Sequence, residues 1–246
     1  MPDSPGIGEQ ALNKAAEIGL SSQLDEVEKL DVEIQTDPLK LIQGQVEAVT
    51  IEGEGLVMQK DLRVEELEME MGSVAINPIG AALGKIELTK PTKASTRVIL
   101  TEDDINRAFN SEYVRTQLQN QRSDIHGQSS TIIAQNIEFH LLIDGKISLK
   151  AKVLLKETNQ LEEVGFSAVP IISDNGQTVS LEKVEFINNK EISPELTKAL
   201  VEQTSEILNL SNFDLEGMTL KIQHLEVQQG KLTLQAEAYV EQIPTS

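Results

Sequence analysis

Apolar and polar residues alternate with a period of two over much of this chain, and this alternation restricts the folds open to it. In one segment the apolar residues occupy odd positions, namely Ile133, Ile137, Phe139, Leu141 and Ile143. After Asp144-Gly145 the odd positions are again apolar, namely Ile147, Leu149, Ala151, Val153 and Leu155. Alternation gives a strand one buried face, and Asp-Gly is typical of a two-residue turn. The pattern therefore predicts an antiparallel hairpin with Ile143 opposite Lys146.

Other strands change the phase of their alternation once. After Val64, Leu181 and Ile222 the apolar residues move to positions of the other parity. A β-bulge shifts the phase in this way and bends the sheet, so these changes predict long, strongly curved strands. A break between two separate strands is the alternative. Further hairpins are predicted at Asn175-Gly176 and Gln229-Gly230.

Three segments have the pattern of helices. The first covers about residues 7–20, the second follows Thr101 as its N-cap, and the third has Ser193 as N-cap before Pro194. The strands occur in runs joined by hairpins instead of alternating with helices. This order predicts an α+β fold with a long, curved antiparallel sheet around the helices and argues against a doubly wound fold.

The charge balance excludes several functions. The chain carries 40 Asp and Glu against 21 Lys and Arg, a net charge of −19, and no Cys. Because neutralising phosphates needs clustered Lys and Arg, a nucleic-acid partner is not expected. A chain without Cys has no disulfides, thiolate zinc sites or iron–sulfur clusters. The two halves have similar charge and no linker between them, so residues 1–246 are predicted to form a single domain in which Ser123–Ser130 is a loop.

The sequence contains no recognisable catalytic or metal-binding motif. His126, His140 and His224 are isolated, without a second ligand at the spacing of a helical metal site. Neither a Gly-x-Ser-x-Gly elbow nor a P-loop occurs. The acidic run Asp61–Glu70 alternates with apolar residues, which favours the solvated face of a strand over a calcium site. We therefore predict no enzyme activity, no metal and no cofactor.

The interval Met71–Gly84 contains no charged residue. It is too short to span a bilayer as a helix, which takes about 20 residues. Its apolar residues Ile76, Ile79 and Leu83 are candidates for contact with a membrane interface, and packing on the sheet is the alternative. Because no secretory signal or transmembrane pattern is found, we predict a cytoplasmic protein that associates peripherally with a membrane.

One predicted strand carries charge opposite to that of the whole chain. Lys146, Lys150, Lys152 and Lys156 occupy its even positions, whereas its odd positions are apolar. A lysine row beside an aliphatic row suits an anionic headgroup near an apolar groove, and Lys150 and Lys152 are the headgroup candidates. The alternative is that the lysines protect an edge strand from pairing with another chain.

Three segments resemble the LmeA-like family of bacterial phospholipid-binding proteins. They are VEIQTDPLKLIQGQVEAVTIEGEGL (Val32–Leu56), LRVEELEMEMGSVAINP (Leu62–Pro78) and RVILTEDDINRAFNSEY (Arg97–Tyr113). The resemblance extends from about residue 7 to residue 241. It implies a TULIP-like half-barrel, in which long curved strands wrap around helices and enclose an apolar tunnel or groove. The family offers no established catalytic residues for this chain.

The leading hypothesis is a non-enzymatic protein that binds or transfers a phospholipid or a similar acyl-chain lipid. The candidate lining comes from the apolar face of the hairpin and from the last strand, namely Ile137, Phe139, Leu141, Leu149, Val153, Leu155, Leu232 and Leu234. An interaction or scaffold protein with a dry core, acting in membrane or envelope maintenance, is the second hypothesis. An enzyme acting on lipids is the third, and it needs a cavity that holds His140 or His224 beside a carboxylate.

Overall fold

The computed structural model describes residues 7–58, 61–82, 87–112, 114–115, 122–125, 128–186, 194–207 and 217–241. Within these ranges the helices include α1 Ile7–Ser21, α2 Pro38–Ile42, α3 Pro78–Ala82, α4 Glu102–Asn110 and α5 Pro194–Ile207. The first strands are β1 Lys29–Gln35, β2 Gln45–Val46, β3 Ala48–Met58, β4 Leu62–Met71, β5 Val74–Ala75 and β6 Thr92–Thr101. The later strands are β7 Arg122–Ile125, β8 Gln128–Leu141, β9 Ile147–Leu155, β10 Gln160–Ile172, β11 Val179–Phe186, β12 Met218–Gln228 and β13 Lys231–Val240.

The strands form two large antiparallel sheets. One has six strands in the order β1-β3-β4-β6-β13-β12, and the other has five in the order β11-β10-β9-β8-β7. Strands β2 and β5 form a separate pair. In the described part of the chain neither large sheet closes on itself. The predicted α+β fold with a large antiparallel sheet is confirmed, and its strands are as long as the 14 residues of β8.

Two of the three predicted bulges are present. In β12 the pairing with β13 shifts between Ile222 and His224, which inserts Gln223. In β11 two residues, Lys183 and Val184, lie opposite a single residue of β10, and Lys183 has a φ of 50°. The predicted bulge after Val64 is wrong, because β4 pairs with β3 without a register shift. Strand β4 is continuous, and its residues from position 62 to 67 are half-buried on both faces. Apolar residues therefore occur at both parities there without a bulge.

The bulge in β8 was not predicted. Asn136, with a φ of 47°, and Ile137 lie opposite a single residue of β9. Before the bulge the buried residue is Ile132, and after it the odd positions are buried. Two adjacent isoleucines at positions 132 and 133 place an apolar residue at both parities, which hides the phase change in the sequence.

The predicted two-residue turn of the β8–β9 hairpin is also wrong by one residue. The Leu142 N–H donates to the Lys146 carbonyl at 2.9 Å, so Leu142 and not Ile143 lies opposite Lys146. The loop has three residues, and Gly145 takes a φ of 76° at its end. Three-residue hairpin loops commonly consist of a turn followed by a glycine in the left-handed region, as here. As a result Ile143 lies in the loop and is 77% exposed, although the alternation predicted it on the apolar face of the strand.

The segment predicted to be a loop at positions 123–130 contributes to two strands. Ser123 pairs with Ser130 and Ile125 pairs with Gln128, so the chain forms the β7–β8 hairpin here. The residues between them, His126 and Gly127, lie outside the described residues. Apart from Ile125, positions 122–131 carry polar residues or glycine, which concealed this hairpin from a search for apolar alternation. The three predicted helices are confirmed, and Ser193, the predicted cap of α5, also lies outside the described residues.

Helix α4 connects the two sheets through side chains that bond to backbone. The Asn106 amide donates to the Phe139 carbonyl at 2.8 Å and accepts from the Phe139 N–H at 2.7 Å. One turn later Asn110 makes the same pair of bonds with Ile137, at 2.8 and 3.2 Å. These bonds satisfy backbone groups of β8 that its strand partners leave unpaired, which protects the strand from pairing with another chain.

The largest buried cluster lies between the five-stranded sheet, α4, α5 and one end of the six-stranded sheet. Its members are the residues Ile105, Phe109, Ile132, Ile137, Phe139, Leu141, Ile147, Leu149, Ala151, Val153, Leu155, Val164, Phe166, Ala168, Leu181, Leu196, Ala199, Leu200 and Val227. A second cluster packs α1, through Leu12 and Ala16, on β1 and on the β2–β5 pair. A third is centred on Ala94, Ala238 and Val240. The middle of the six-stranded sheet lies between these clusters.

Candidate functional site

The six-stranded sheet has one aliphatic face. Three rows of residues in register cross all six strands on this face, in the order β1, β3, β4, β6, β13, β12. The rows are Leu30, Gly53, Leu67, Val98, Leu234, Leu225, then Val32, Ile51, Met69, Thr96, Ala236, Ile222, then Ile34, Val49, Met71, Ala94, Ala238, Leu220. Apart from Gly53 and Thr96, every position carries an apolar side chain. The β12 bulge keeps Leu225 on this face, because it restores the phase after Ile222.

The centre of the aliphatic face is half-buried and contains no charged group. We call Leu67, Met69, Val98, Leu234 and Ala236 the aliphatic strip; each is intermediate in exposure. With strands about 4.8 Å apart, the strip spans roughly 10 Å across β4, β6 and β13. Helix α1 packs at one end of the face and the largest cluster lies at the other. Side chains of this kind contact an apolar molecule without needing directional partners.

A single polar atom interrupts the aliphatic strip. Thr96 is 8% exposed and lies between Met69 and Ala236 in the row. Its hydroxyl has no hydrogen-bond partner in the described structure. An unpaired buried hydroxyl costs about 1–3 kcal/mol, so a partner that reaches it from a bound molecule is energetically favourable.

The opposite face of the same sheet is acidic. Its exposed residues include Asp31, Glu33, Glu52, Glu54, Glu68, Glu70 and Glu237. Arg97 lies at 3.2 Å from Glu68, and Lys29 lies at 3.0 Å from Asp31 and 3.4 Å from Glu54. These pairs balance only part of the acidic charge. In the described ranges no group of three His, Asp or Glu residues has the arrangement of a metal site. Within Asp61–Glu70 the acids Glu68 and Glu70 are exposed, whereas Asp61, Glu65 and Glu66 are half-buried.

The eight residues predicted to line a lipid site fall into two groups. Ile137, Phe139, Leu141, Leu149, Val153 and Leu155 belong to the largest buried cluster and are at most 7% exposed. A lipid chain would have to displace neighbouring side chains to reach them. Leu232 packs on this cluster from the six-stranded sheet, and Leu234 belongs to the aliphatic strip. The strip residues on β4 and β6 were missed, since the sequence alternation does not tell which strands are neighbours.

The two predicted headgroup lysines lie away from these residues. Lys150 and Lys152 are exposed on β9, and the residues around them in sequence, Leu149, Ala151 and Val153, point into the core from the other side of the strand. Lys150 is in register with Glu138, and Lys152 with Glu163. Strand β9 is the central strand of its sheet, so protection of an edge strand does not explain the lysine row.

His140 does lie beside a carboxylate. Its Nδ1 is 2.9 Å from Glu102 Oε1, and the other oxygen of Glu102 accepts from the Leu141 N–H at 2.8 Å. Burial raises the pKa of Glu102, but the hydrogen bonds from His140 and Leu141 outweigh burial and hold this pKa below its usual 4.5. Ser148 is the cross-strand partner of His140, yet in the described structure the ring bonds to Glu102 and not to Ser148. The pair links α4 to β8 at the surface.

The residues predicted to contact a membrane also separate. Ile76 is 5% exposed and belongs to the cluster beneath α1, which agrees with the alternative of packing on the sheet. Ile79, on α3, is 74% exposed. Leu83 lies outside the described residues. Leu39 and Ile42 on α2, which were not predicted, are 69% and 74% exposed.

A shallow groove of about 380 Å³ lies between the end of α1 and the start of β1. Charged residues at its border, such as Lys14 and Glu17, are paired with each other at 2.8 Å. In the described ranges no helix has the length and hydropathy needed to cross a bilayer.

Comparison with known proteins identifies a family for this chain. A search of curated proteins finds no match. The model of one family, described as LmeA-like phospholipid-binding, matches residues 5–237, which include the five-stranded sheet, the aliphatic strip and all of the six-stranded sheet except the end of β13. The chain therefore belongs to the LmeA-like phospholipid-binding family.

Proposed function

We propose that this protein is a non-enzymatic lipid-binding protein that holds an acyl chain on the aliphatic strip and transfers the lipid between membranes. The observation that carries the proposal is the uncharged, half-buried strip of Leu67, Met69, Val98, Leu234 and Ala236, in a chain that belongs to a phospholipid-binding family. An acyl chain gains about 0.8 kcal/mol for each CH₂ that it buries, whichever aliphatic side chain it touches. The strip therefore suits a range of chain lengths.

Thr96 gives the strip one point of polar recognition. Its unpaired hydroxyl is buried, so it donates to an ester or hydroxyl oxygen of a lipid that displaces the side chains around it. Such a bond replaces the missing partner of a buried group, so it favours a lipid with an oxygen near its chain over a plain hydrocarbon.

The lysines of β9 have a different place in this proposal. Lys150 and Lys152 lie on the five-stranded sheet and face away from its core, whereas the strip belongs to the six-stranded sheet. A lipid on the strip does not require them. We therefore expect Lys150→Ala combined with Lys152→Ala to leave lipid occupancy unchanged, which separates the strip from the sequence-based assignment of the headgroup.

Two neighbouring positions of β13 provide a matched test. Ala236 lies in the strip, and Gln235 points to the acidic face and is exposed. In Ala236→Trp the indole occupies the path of the chain, and in Gln235→Trp the same side chain projects into solvent. Native mass spectrometry after incubation with phosphatidylglycerol or phosphatidylcholine measures occupancy, and circular dichroism verifies folding. We expect the first variant to lose bound lipid and the second to retain it.

Wild-type protein that takes up neither lipid would refute the proposal. The dry-core scaffold would then be favoured, since the six predicted lining residues of the hairpin are already packed against other side chains. Leu234→Gln is a milder variant of the strip for the case in which Ala236→Trp unfolds. The cytoplasmic location and the peripheral contact with a membrane stay predictions from the sequence.

A further inference from the structure

Two short helices lie at the same end of the six-stranded sheet. Helix α2 and strand β2 lie between β1 and β3, and strand β5 and helix α3 lie between β4 and β6. The last residue of β1, Gln35, pairs with Ala48, and the last residue of β4, Met71, pairs with Val49 and Ala94. These registers place the ends of β1 and β4 side by side. Helix α4 follows the opposite end of β6.

Backbone contacts join the segment after α2 to the segment before α3. Strands β2 and β5 pair between them, and the Ile76 N–H donates to the Gly44 carbonyl at 2.8 Å. Gly44 has a φ of 74°, and a Cβ at this position would lie 2.4 Å from the Ile76 carbonyl oxygen and 3.1 Å from Pro78 Cδ. Only glycine permits this approach, which brings the end of α2 next to the start of α3.

This end of the molecule exposes three large aliphatic side chains above a buried base. Leu39 and Ile42 on α2 and Ile79 on α3 are 69%, 74% and 74% exposed; we call them the apolar tip. Beneath the tip, Val46, Val74 and Ile76 are 2%, 4% and 5% exposed. The tip is therefore mounted on packed structure and does not depend on a loose loop.

Side chains at the starts of α2 and α3 accept hydrogen bonds from backbone N–H groups of the tip. Asp37 caps α2 by accepting from the Leu39 N–H at 2.8 Å. Asn77 accepts from the N–H groups of Ile79 and Gly80, at 3.1 and 3.2 Å. Backbone groups with partners enter an apolar medium at much lower cost than unpaired ones.

The local charge also distinguishes the tip from the rest of the chain. Between positions 38 and 46 the one charged residue is Lys40, and positions 72–84 carry none. In a protein with a net charge of −19, both segments lack acids. Lys40 is half-exposed beside Glu47 at the base of the tip. The exposed acids Asp37 and Glu47 border the first segment, and Lys40 pairs with Glu47, so charge lies at the border of the tip and its apolar side chains carry none. An apolar surface with charge only at its border fits a lipid interface better than it fits a strongly acidic or basic protein.

We propose that the apolar tip inserts into the interface of a lipid bilayer and places the aliphatic face next to the lipids it collects. This inference rests on the proposed lipid-binding function. The cluster beneath the tip contains Val49 and Met71, which form the nearest row of the aliphatic face. Apolar side chains are thus packed without interruption from the base of the tip to that face, although this base is buried and α1 covers this end of the face. The three exposed aliphatic side chains lie on two segments without acids, in a chain of a phospholipid-binding family, which favours a bilayer over a protein as the occupant.

Flotation with vesicles tests the tip directly. The vesicles are phosphatidylcholine with one-fifth phosphatidylglycerol, and the variant combines Leu39→Ser, Ile42→Ser and Ile79→Ser. Moving one aliphatic side chain from water into the apolar part of a bilayer contributes about 1.4 kcal/mol or more, which is a factor of ten in affinity. Three such side chains contribute up to about a thousandfold, and because they insert only partly we expect the triple variant to lose at least a hundredfold in vesicle affinity. The control is Leu161→Ser, since Leu161 is 57% exposed on the five-stranded sheet.

Equal vesicle affinity of the triple variant and wild type overturns the proposal, and so does an equal loss in Leu161→Ser. Lipid occupancy is measured on the same proteins by native mass spectrometry, with lipid supplied from detergent. A tip variant that takes up lipid from detergent but fails to bind vesicles supports both the tip and the strip. Wild-type protein without lipid uptake defeats the strip separately, whatever its affinity for vesicles.

Discussion

Asp104 joins α4 to the six-stranded sheet, and its removal has a stability cost that follows from its contacts. Its carboxylate, 4% exposed, accepts from the N–H and the hydroxyl of Thr101 at 2.9 and 2.6 Å. It also accepts from Arg63 Nη1 at 2.8 Å. The pKa of Arg63 is raised by its hydrogen bonds with Glu28, Asp104 and Glu65. Asp104 therefore completes a capping box and an ion pair together.

The expected loss in Asp104→Ala combines these two roles. The cap contributes about 1 kcal/mol. Breaking a buried ion pair costs about 3–5 kcal/mol, but Arg63 keeps Glu28 and Glu65, so we expect about 2 kcal/mol, below that range. The total is about 3 kcal/mol. For a chain of this length 1 kcal/mol lowers Tm by about 2–4 °C, which gives a decrease of roughly 6–12 °C.

Thermal and urea unfolding followed by circular dichroism measure this loss. Asp103→Ala is the matched control, because Asp103 is an exposed acid in the same first turn. It interacts mainly with the helix dipole, worth about 0.3–1 kcal/mol. Equal destabilisation by the two substitutions would show that the dipole, and not the contacts with Thr101 and Arg63, gives Asp104 its effect.

Three further predictions concern α4 and the strip. Asn106→Ala leaves two backbone groups of Phe139 unpaired, so we expect a loss of about 2 kcal/mol and faster amide exchange at Phe139. Because the pKa of Glu102 is lowered in the folded protein, its contribution is present above pH 4.5 and is lost as the pH falls through the native pKa. The stability difference between wild type and Glu102→Gln in urea should therefore shrink from pH 7 to pH 3. Thr96→Val removes the unpaired hydroxyl, so lipid-free protein should gain about 1 kcal/mol while the occupancy by oxygen-bearing lipids falls.

Local features of the fold were predictable from the sequence because their causes are local. Thr101 and the acids after it predict the start of α4, and the structure confirms it with a complete capping box. The phase changes after Leu181 and Ile222 predict two bulges that are present. The partner of Asp104, Arg63, lies 41 residues earlier, and no pattern in the sequence relates the two.

The candidate site was less predictable because it depends on strand order. Alternation identifies which residues of one strand share a face, and Leu234 was found in this way. It does not reveal that β13 pairs with β6, or that β6 pairs with β4, so Leu67 and Val98 were missed. On the tip, Ile79 lies in the uncharged interval, whereas Lys40 interrupts the apolar run that contains Leu39 and Ile42.

The salt dependence of vesicle binding distinguishes the apolar tip from a basic docking patch. Most of this chain, with its net charge of −19, is repelled by an anionic membrane, and Lys40 at the tip is paired with Glu47. Salt shortens the range of that repulsion, from about 30 Å at 0.01 M to about 8 Å at 0.15 M, and it leaves apolar insertion intact. We therefore expect affinity for vesicles rich in phosphatidylglycerol to rise with salt. Affinity that falls steadily over this range would mean that lysines, such as those of β9, hold the protein at the membrane.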